Sequence, residues 1–209
     1  NPDSKYSYTY DALDRLTNID NDGTVGVPNG VQHKRVDIAY DAVNQMTSLG
    51  RYSGSNAVAQ TNYIYDNNRR LIQINHQKGS NVIANYDYSY DAADKLTEMV
   101  SSTDGTSDYS YDATNQLTDA NHDSQTDEAY QYDANGNRTN SGYQTGTNNQ
   151  LLSDGKYNYQ YDGEGNRTKR TEISTAKVTE YIWDYRNRLT FVVFKDVSGN
   201  LIKTVEYTY

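Results

Sequence analysis

Tyrosine alternates with polar residues in several short segments of the chain. Three of these segments carry a tyrosine at every second position: residues 6–10, 86–90 and 157–161. Successive side chains of a β-strand point to opposite faces, so this spacing places the rings on one face of an extended strand. Residues 178–181 and 191–194 are rich in β-branched and aromatic side chains, which also favour strands. The pattern predicts strands throughout and no helices.

The alternating segments belong to a repeated motif. Tyr88 to Thr97 reads Tyr-x-Tyr-Asp, three variable residues, a basic or amide side chain, Leu and Thr, and Tyr109 to Thr118 is nearly the same. Further copies start at Tyr8, Ile38, Tyr63, Tyr130, Tyr159 and Tyr181. The chain therefore contains eight copies, and a ninth begins at Tyr207.

Each motif predicts a hairpin. The Asp carboxylate accepts hydrogen bonds from backbone N–H groups two residues on, so it is a turn former, and Gly136 and Gly165 fit a left-handed position that closes a bulged turn. The segment from the basic residue to Leu-Thr is the returning strand, with Leu or Met facing the rings. At Arg138 and Arg167, which replace that Leu, we expect the guanidinium to lie on a tyrosine face or to reach an Asp.

The predicted fold class is all-β, an antiparallel β-hairpin repeat array. Ordinary hairpin turns separate the motifs, at Asp22-Gly23, Lys78-Gly79, Asp104-Gly105 and Ser198-Gly199-Asn200. Eight units give about sixteen strands, and a sheet of that width is expected to bend into a curved or spiral ribbon. We assign residues 1–209 to a single array of eight hairpin units and a truncated ninth.

The candidate site residues are the second aromatic residue of each motif and the Asp that follows it. We expect these residues to be structural: stacked rings supply the buried area, and the carboxylates fix the turns. The pairs are Tyr10 and Asp11, Tyr40 and Asp41, Tyr65 and Asp66, Tyr90 and Asp91, Tyr111 and Asp112, Tyr132 and Asp133, Tyr161 and Asp162, and Trp183 and Asp184.

The composition supports a folded chain with tyrosine in place of aliphatic residues. Leu, Ile, Val and Phe total 34 of 209 residues, but 22 tyrosines are present and the net charge is only −9. Absence of cysteine excludes disulfides and thiolate chemistry, and the sequence pI of about 4.7 argues against nucleic acid. The longest apolar run, residues 191–194, is far too short to cross a bilayer, and the first residues show no targeting segment.

Catalytic, cofactor and metal sites are not expected. The three histidines, His33, His76 and His122, lie in predicted connectors, so we interpret them as exposed loop residues rather than metal ligands. Asp133 to Asn137 imitates the start of a calcium loop but lacks its Gly and Glu, and indicates a turn. Two Ser-x-x-Lys pairs lack the partner motifs of a nucleophilic site. We predict that the chain is not an enzyme and carries no cofactor.

The motif resembles the YD repeats of bacterial Rhs and wall-associated proteins, of the Tc toxin C component and of animal teneurins. The resemblance covers nearly the whole chain. It implies a β-hairpin ribbon that winds into a hollow shell, in a secreted or cell-surface protein, with a toxic C-terminal segment held inside. Bacterial members close the shell with an Asp-Pro core and cut themselves there. In this chain Pro2 and Pro28 do not follow Asp, so no self-cleavage residue can be carried over.

The resemblance implies a structural function. We expect an interior segment of a shell wall whose partners are the rest of the parent shell and a cargo polypeptide. The alternative is a cell-surface module that binds glycans or mediates adhesion through exposed Tyr and Asn. Because an isolated segment has two open sheet edges, we also expect edge-to-edge self-association.

Overall fold

The computed structural model describes residues 5–23 and 32–209, and the regular structure in them is almost entirely β-strand. The first eleven strands are β1 (Tyr6–Tyr10), β2 (Leu16–Asn21), β3 (Lys34–Tyr40), β4 (Met46–Ser53), β5 (Asn56–Tyr65), β6 (Leu71–Lys78), β7 (Asn81–Tyr90), β8 (Leu96–Ser101), β9 (Gly105–Tyr111), β10 (Leu117–His122) and β11 (Glu128–Ala129). The others are β12 (Tyr143–Thr145), β13 (Leu151–Asp154), β14 (Tyr157–Tyr161), β15 (Arg167–Glu172), β16 (Val178–Trp183), β17 (Leu189–Lys195) and β18 (Leu201–Glu206). A short 3-10 turn, Thr147–Asn149, separates β12 from β13. The all-β prediction is confirmed.

The strands form two antiparallel sheets of consecutive hairpins. β1 to β11 lie in sequence order in one sheet, and β12 to β18 lie in sequence order in the other. In the repeat hairpins the register shifts next to the second aromatic residue, for example between Ser89 and Tyr90, so that Tyr90 pairs with Leu96 across a bulge. The predicted hairpin array with bulged turns is therefore confirmed.

The strand ladder differs from the single ribbon of about sixteen strands that the repeat count predicts. It has eighteen strands in the described residues and is interrupted between β11 and β12. In the interrupted unit only Tyr132 and Arg138 form a bridge. The Asn140 side chain bonds the Gln131 N–H at 3.0 Å and the Ala129 carbonyl at 2.7 Å. The Asn140 side chain thus hydrogen-bonds to backbone groups of the kind that pair with a neighbouring strand elsewhere in the sheet.

The described chain also divides into two compact units. One comprises Asn1–Tyr111 with Asp119–Glu128, and the other comprises Asp112–Thr118 with Ala129–Tyr209. The repeat motif continues in both units. The assignment of residues 1–209 to one repeat array stays a prediction.

Few side chains are fully buried. Among the described residues the buried apolar ones are Ala84, Ala120 and Val192. Most repeat tyrosines are half-buried, whereas those of the first repeat, Tyr8 and Tyr10, are exposed. The half-buried rings alternate with exposed residues along the strands, as Tyr88 and Tyr90 do around Ser89. The rings thus share one face, as predicted, and they supply apolar area in place of an aliphatic core.

The two prolines and the possibility of a membrane-spanning segment also figured in the sequence analysis. Pro2 and Pro28 lie outside the described residues. Within residues 5–23 and 32–209, no helix has the length and apolarity needed to cross a bilayer.

Candidate functional site

The Asp of each motif closes a five-residue turn. In the unit of β5 and β6, the Asp66 N–H donates to the Arg70 carbonyl at 3.0 Å, and the Arg69 N–H donates to the Asp66 carbonyl at 3.0 Å. The Asp66 Oδ1 atom accepts the N–H groups of Asn68 and Arg70 at 2.8 and 2.9 Å. Because the carboxylate binds an N–H two residues on, the predicted turn chemistry is confirmed.

The same carboxylate contacts recur in all eight motifs. The Oδ1 atoms that bind the N–H groups two and four residues on belong to Asp11, Asp41, Asp66, Asp91, Asp112, Asp133, Asp162 and Asp184. The fourth residue of each turn has a positive φ, including Gly136 at 83° and Gly165 at 86°, as predicted for these two glycines. Five other turns use Asn or Asp there, residues that tolerate this conformation, and the turn of Asp66 has Arg69.

These hydrogen bonds favour the charged carboxylate. The backbone N–H of Arg70 lowers the pKa of Asp66 and the backbone N–H of Lys95 lowers the pKa of Asp91, in each case against the desolvation that raises it. The Arg188 side chain lowers the pKa of Asp184 in the same way. Asp66, Asp91 and Asp184 are thus stable anions with fixed donors, which suits a structural function.

The second aromatic residue of each motif joins its unit to the preceding one. The Tyr90 hydroxyl donates to the Leu71 carbonyl at 2.7 Å. The acceptor is the first residue of the returning strand in the preceding hairpin. The same bond joins Tyr40 to Leu16, Tyr65 to Met46, Tyr111 to Leu96, Tyr132 to Leu117, Tyr161 to Leu151 and Tyr209 to Leu189.

Trp183 keeps this contact although it replaces tyrosine. Its indole Nε1–H donates to the Arg167 carbonyl at 2.9 Å. The position therefore requires a ring with a hydrogen-bond donor at its far end, a condition that Phe does not meet. Tyr10 occupies the corresponding position in β1 and is 58% exposed, because no preceding strand covers β1 within the described residues.

The basic residue of the motif makes a second link between units. Arg70 forms an ion pair with Asp66 in its own turn at 2.7 Å. It also donates to the Asp91 carbonyl at 3.2 Å and to Asp94 Oδ1 at 2.8 Å in the next turn. Its guanidinium lies 5.0 Å from the centroid of the Tyr90 ring. Sequence reasoning did not find these links, although the constant spacing of Asp and the basic residue was a signal for the ion pair.

The two arginines that replace the motif Leu lie on tyrosine rings. The Arg138 guanidinium carbon is 3.9 Å from the Tyr130 ring centroid, and that of Arg167 is 4.4 Å from the Tyr159 centroid. The first of the two predicted alternatives is confirmed. A cation over a ring occupies the place of an aliphatic side chain.

One degenerate unit escaped the sequence reading. Residues 143–152 form the hairpin of β12 and β13, in which Thr145 pairs with Leu151 across a register shift. Leu151 accepts the Tyr161 hydroxyl, as the motif Leu does elsewhere. Gly146 stands where the motif has Asp, which explains why the unit was missed. The Asn-Gln-Leu at residues 149–151, which matches residues 115–117, was the available signal.

The turn between β17 and β18 is also of the motif type. The Asp196 Oδ1 atom accepts the N–H groups of Ser198 and Asn200 at 2.9 and 2.8 Å, and Gly199 has φ 82°. The sequence predicted an ordinary hairpin turn here. The Asp four residues before Asn200 decides the geometry, because its carboxylate holds both ends of the turn.

The prediction of exposed loop histidines is wrong in exposure for all three and in location for two. His76 lies in β6 and His122 ends β10, and both are half-buried. Their Nδ1 atoms bond to Thr61 at 2.9 Å and to Ser107 at 2.8 Å. His33, also half-buried, contacts Asp20 at 2.6 Å. In the described ranges no group of three or more His, Asp or Glu residues has the geometry of a metal site.

Shallow depressions lie between neighbouring turns and beside the rings. One of about 430 Å³ lies between the turns that begin at Asp162 and Asp184. Another of about 440 Å³ lies between the turns that begin at Asp112 and Asp133. A third, also about 430 Å³, has Tyr161, Tyr181 and Trp183 in its wall. In both turn depressions, the first turn ends in an amide side chain rather than an arginine.

Comparisons with known proteins add a structural likeness. No protein-family model and no curated protein sequence matches the chain. The crystal structure of TcdB2-TccC3-TEV matches 98% of this chain at 16% identity with a TM-score of 0.59. The fold is of the TcdB2-TccC3 type. The chain spans only 13% of the length of that protein, and at this identity the likeness extends to the fold alone.

Weaker likenesses concern related structures. TcdB2-TccC3 without its hypervariable C-terminal region matches 92% of this chain and 13% of its own at 14% identity, with a TM-score of 0.44. A Tc holotoxin pore from Photorhabdus luminescens matches 94% of this chain and 13% of its own, also at 14% identity and a TM-score of 0.44.

Proposed function

We propose that the chain is a non-enzymatic wall segment of a larger YD-repeat shell that encloses a C-terminal polypeptide cargo in a secreted or surface protein. The observation that carries the proposal is the recurrent hydrogen bond from each second aromatic ring to the preceding unit. It joins the hairpins within each sheet as a repeated interface rather than grouping side chains at one reactive centre. The likeness of fold to TcdB2-TccC3-TEV supports it.

The mechanism of such a wall is steric. Consecutive antiparallel strands leave no unpaired backbone inside a sheet, so proteases find no extended segment to bind. The turns carry carboxylates and polar side chains alternate with the tyrosines along the strands, so the wall offers a polar and acidic surface. A basic or partly unfolded passenger then meets little apolar surface on which to aggregate.

The test begins with the parent gene. We expect the coding sequence beyond Tyr209 to continue into repeats, an Asp-Pro core and an unrelated tail. In limited proteolysis of the intact parent protein, the tail should resist cleavage until the repeats are unfolded. A tail that is cleaved as fast in the parent protein as in isolation would contradict enclosure.

The alternative is glycan binding at a cell surface. The observation that favours it is the depression lined by Tyr161, Tyr181 and Trp183, because aromatic faces stack on sugar rings. A glycan array with the purified chain, repeated with Trp183→Ala, tests it. Sugar-specific binding that disappears in the variant would favour this function over the shell.

The absence of catalysis is a further part of the proposal. Its basis is the use of the turn carboxylates as hydrogen-bond acceptors within their own turns. A panel of glycoside, ester and peptide substrates should show no hydrolysis above background. Hydrolysis that is lost on substitution of a single Asp would overturn this part.

A further inference from the structure

Two junctions between neighbouring turns bind an internal guanidinium in the same way. At the first junction the Arg15 Nε atom donates to Asp11 at 2.7 Å. Its NH1 group donates to the Asp41 carbonyl and to Asn44 Oδ1, both at 2.9 Å. The guanidinium carbon is 4.7 Å from the Tyr40 ring centroid. Arg70 makes the corresponding four contacts at its own junction.

These contacts define a set of four components that holds a guanidinium. They are the Asp carboxylate of one turn, the Asp carbonyl of the next turn, a side-chain oxygen at the left-handed position of that next turn, and an aromatic ring. Anionic and carbonyl oxygens accept the planar N–H groups, while the ring face attracts the charge. The set recurs at separate positions of one chain, so it is a property of the repeat.

One junction has all four components but an amide in place of the arginine. Asp162 supplies the carboxylate, Asp184 the carbonyl, Asn187 the side-chain oxygen and Trp183 the ring. The residue at the arginine position is Asn166, whose shorter side chain donates from Nδ2 to Asp162 Oδ2 at 3.0 Å and to Asn187 Oδ1 at 2.9 Å. A depression of about 430 Å³ lies among these residues, where the other two junctions hold a guanidinium.

The charge of this depression also favours a cation. Glu164 contributes a third carboxylate to its wall beside Asp162 and Asp184. Arg188 pairs with Asp184 on the side of its own turn at 2.7 Å, and its guanidinium lies 5.0 Å from the centroid of the Tyr209 ring, at the following junction.

The other junctions with an amide at this place lack a component. In the described part of the chain, Arg69 and Gly136 occupy two of the left-handed positions and supply no side-chain oxygen, and Thr145 replaces the ring at the third. The amides at these junctions are Gln45, Gln116 and Asn137. A further amide, Gln150, ends a turn in which Gly146 replaces the Asp and no carboxylate is supplied. The complete set with an amide in place of the guanidinium thus occurs at Asn166.

We propose that the depression between the turns of Asp162 and Asp184 is a binding site for a guanidinium group, supplied by an arginine side chain of a partner polypeptide. The ligand arginine displaces the Asn166 amide from Asp162 Oδ2 and Asn187 Oδ1. It then takes the place that Arg15 and Arg70 fill at their own junctions, with its plane against the Trp183 ring. The proposal does not depend on the shell function, because it concerns the turn edge of a single sheet.

Fluorescence of Trp183, the single tryptophan of the chain, reports directly on this site. The purified chain is titrated with N-acetyl-arginine methylamide and, in parallel, with the citrulline analogue, a neutral isostere. We expect a saturable change in emission with the arginine compound. Citrulline should bind about tenfold more weakly, because it lacks the cation–π contact and the charge-assisted hydrogen bonds.

A matched pair of variants separates this site from general attraction to an acidic chain. Asn166→Arg supplies the guanidinium internally, so its emission should resemble that of the saturated wild type and should not respond to the ligand. Asn137→Arg places the same charge at the equivalent position of a junction without the ring and should titrate like the wild type. Far-UV circular dichroism checks that both variants are folded.

Three results would overturn the proposal. They are no saturable change in emission, equal binding of the citrulline analogue, and an Asn166→Arg variant that still titrates like the wild type. A peptide with one arginine in a polar sequence then distinguishes the two sources of the group. Binding of the peptide at least as tight as that of the free compound supports a polypeptide partner, and weaker binding indicates a small guanidinium ligand instead.

Discussion

At the scale of single residues, the hydroxyl group decides what the second aromatic position does. Tyr90 uses it to bind the Leu71 carbonyl at 2.7 Å, and Trp183 replaces it with an indole N–H that binds Arg167. The rest of the ring contributes half-buried apolar area in either case. The position therefore combines burial with a directional bond between units.

Tyr90→Phe removes this bond and leaves the ring in place. We expect a loss of about 1 kcal/mol in the free energy of unfolding, measured by urea denaturation. Tyr10→Phe is the matched control, because Tyr10 is exposed and its hydroxyl has no partner within the described residues; it should change the stability by about 0.5 kcal/mol or less. Equal losses in the two variants would contradict the role given to the hydroxyl.

Tyr159 gives a second prediction at this scale. Desolvation raises the pKa of Tyr159 to about 12, together with the negative charge of Asp154 and the hydrogen bond that the Tyr159 hydroxyl donates to it at 2.6 Å. The resulting stabilisation is complete below the ordinary tyrosine pKa of about 10 and is lost as the pH rises through the folded-state value. Urea midpoints measured across this alkaline range should fall more steeply for the wild type than for Tyr159→Phe. Parallel curves would contradict this.

At the scale of the hairpin, the turn works because one carboxylate holds two backbone N–H groups while one residue adopts a left-handed conformation. Asn, Asp and Gly occupy that position in most motifs, as their conformational preferences require. The connectors on the other side of the strands vary in length, and several of them also contain a left-handed residue, such as Gly54, Gly79 and Gly155. In the Asp196 turn the residues of the motif recur, and the motif geometry follows.

Two glycines of one turn distinguish the effect of backbone conformation on stability from the effect of the space available to a side chain. Gly165 has φ 86°, whereas Gly163 has no such restriction and open space around its Cβ position. Gly165→Ala should cost about 1 kcal/mol or more, because alanine disfavours the left-handed region, and Gly163→Ala should leave the stability unchanged or slightly higher. Thermal unfolding of the two variants measures the difference. A larger loss for Gly163→Ala would contradict the turn assignment.

At the scale of the whole molecule, many weak and equivalent contacts replace a central core. Each unit is stabilised mainly by its neighbours, as in other repeat arrays. A feature shared by all motifs, such as the turn carboxylate, therefore affects the stability of the whole chain. The open edges of the sheets affect its solubility.

The turn carboxylates predict a loss of stability in acid. Hydrogen bonds hold the pKa of Asp66, Asp91, Asp133 and Asp184 below the ordinary value, so the folded chain binds fewer protons than the unfolded chain near that value. Their stabilisation is present above about pH 4 and is lost as the pH falls through the folded-state pKa values. Urea midpoints measured from about pH 6 to about pH 2 should decrease. A constant midpoint would contradict the prediction.

The outer strands predict self-association of the isolated chain. β18 has no neighbour on one side within the described residues, and Leu201 and Ile202 in it are 64% and 60% exposed. We expect oligomers in light scattering at high concentration, because such an edge pairs with another strand. Ile202→Lys should reduce them, whereas Val197→Lys, in a turn and equally exposed, should not. A strict monomer at all concentrations would contradict this.

The sequence by itself determined the elements that depend on neighbouring residues. The period of two in the tyrosine segments predicted the strands, and the Asp of each motif predicted the turns, because both depend on backbone geometry within a few residues. For Arg138 and Arg167 the sequence predicted either a tyrosine face or an Asp as the partner, and the rings they lie on belong to the same hairpin. The degenerate unit at residues 143–152 was missed because Gly146 removes the local signal.

Only the tertiary structure determined which contacts join neighbouring units. The bond from each ring to the preceding Leu carbonyl joins residues 10 to 24 positions apart, across connectors of variable length, and no local pattern fixes that partner. The interruption after β11 depends on the Asn140 side chain taking backbone partners from a strand. The guanidinium site at Asn166 likewise exists only because two turns lie side by side. These features require the register between strands, which is set when the sheet assembles.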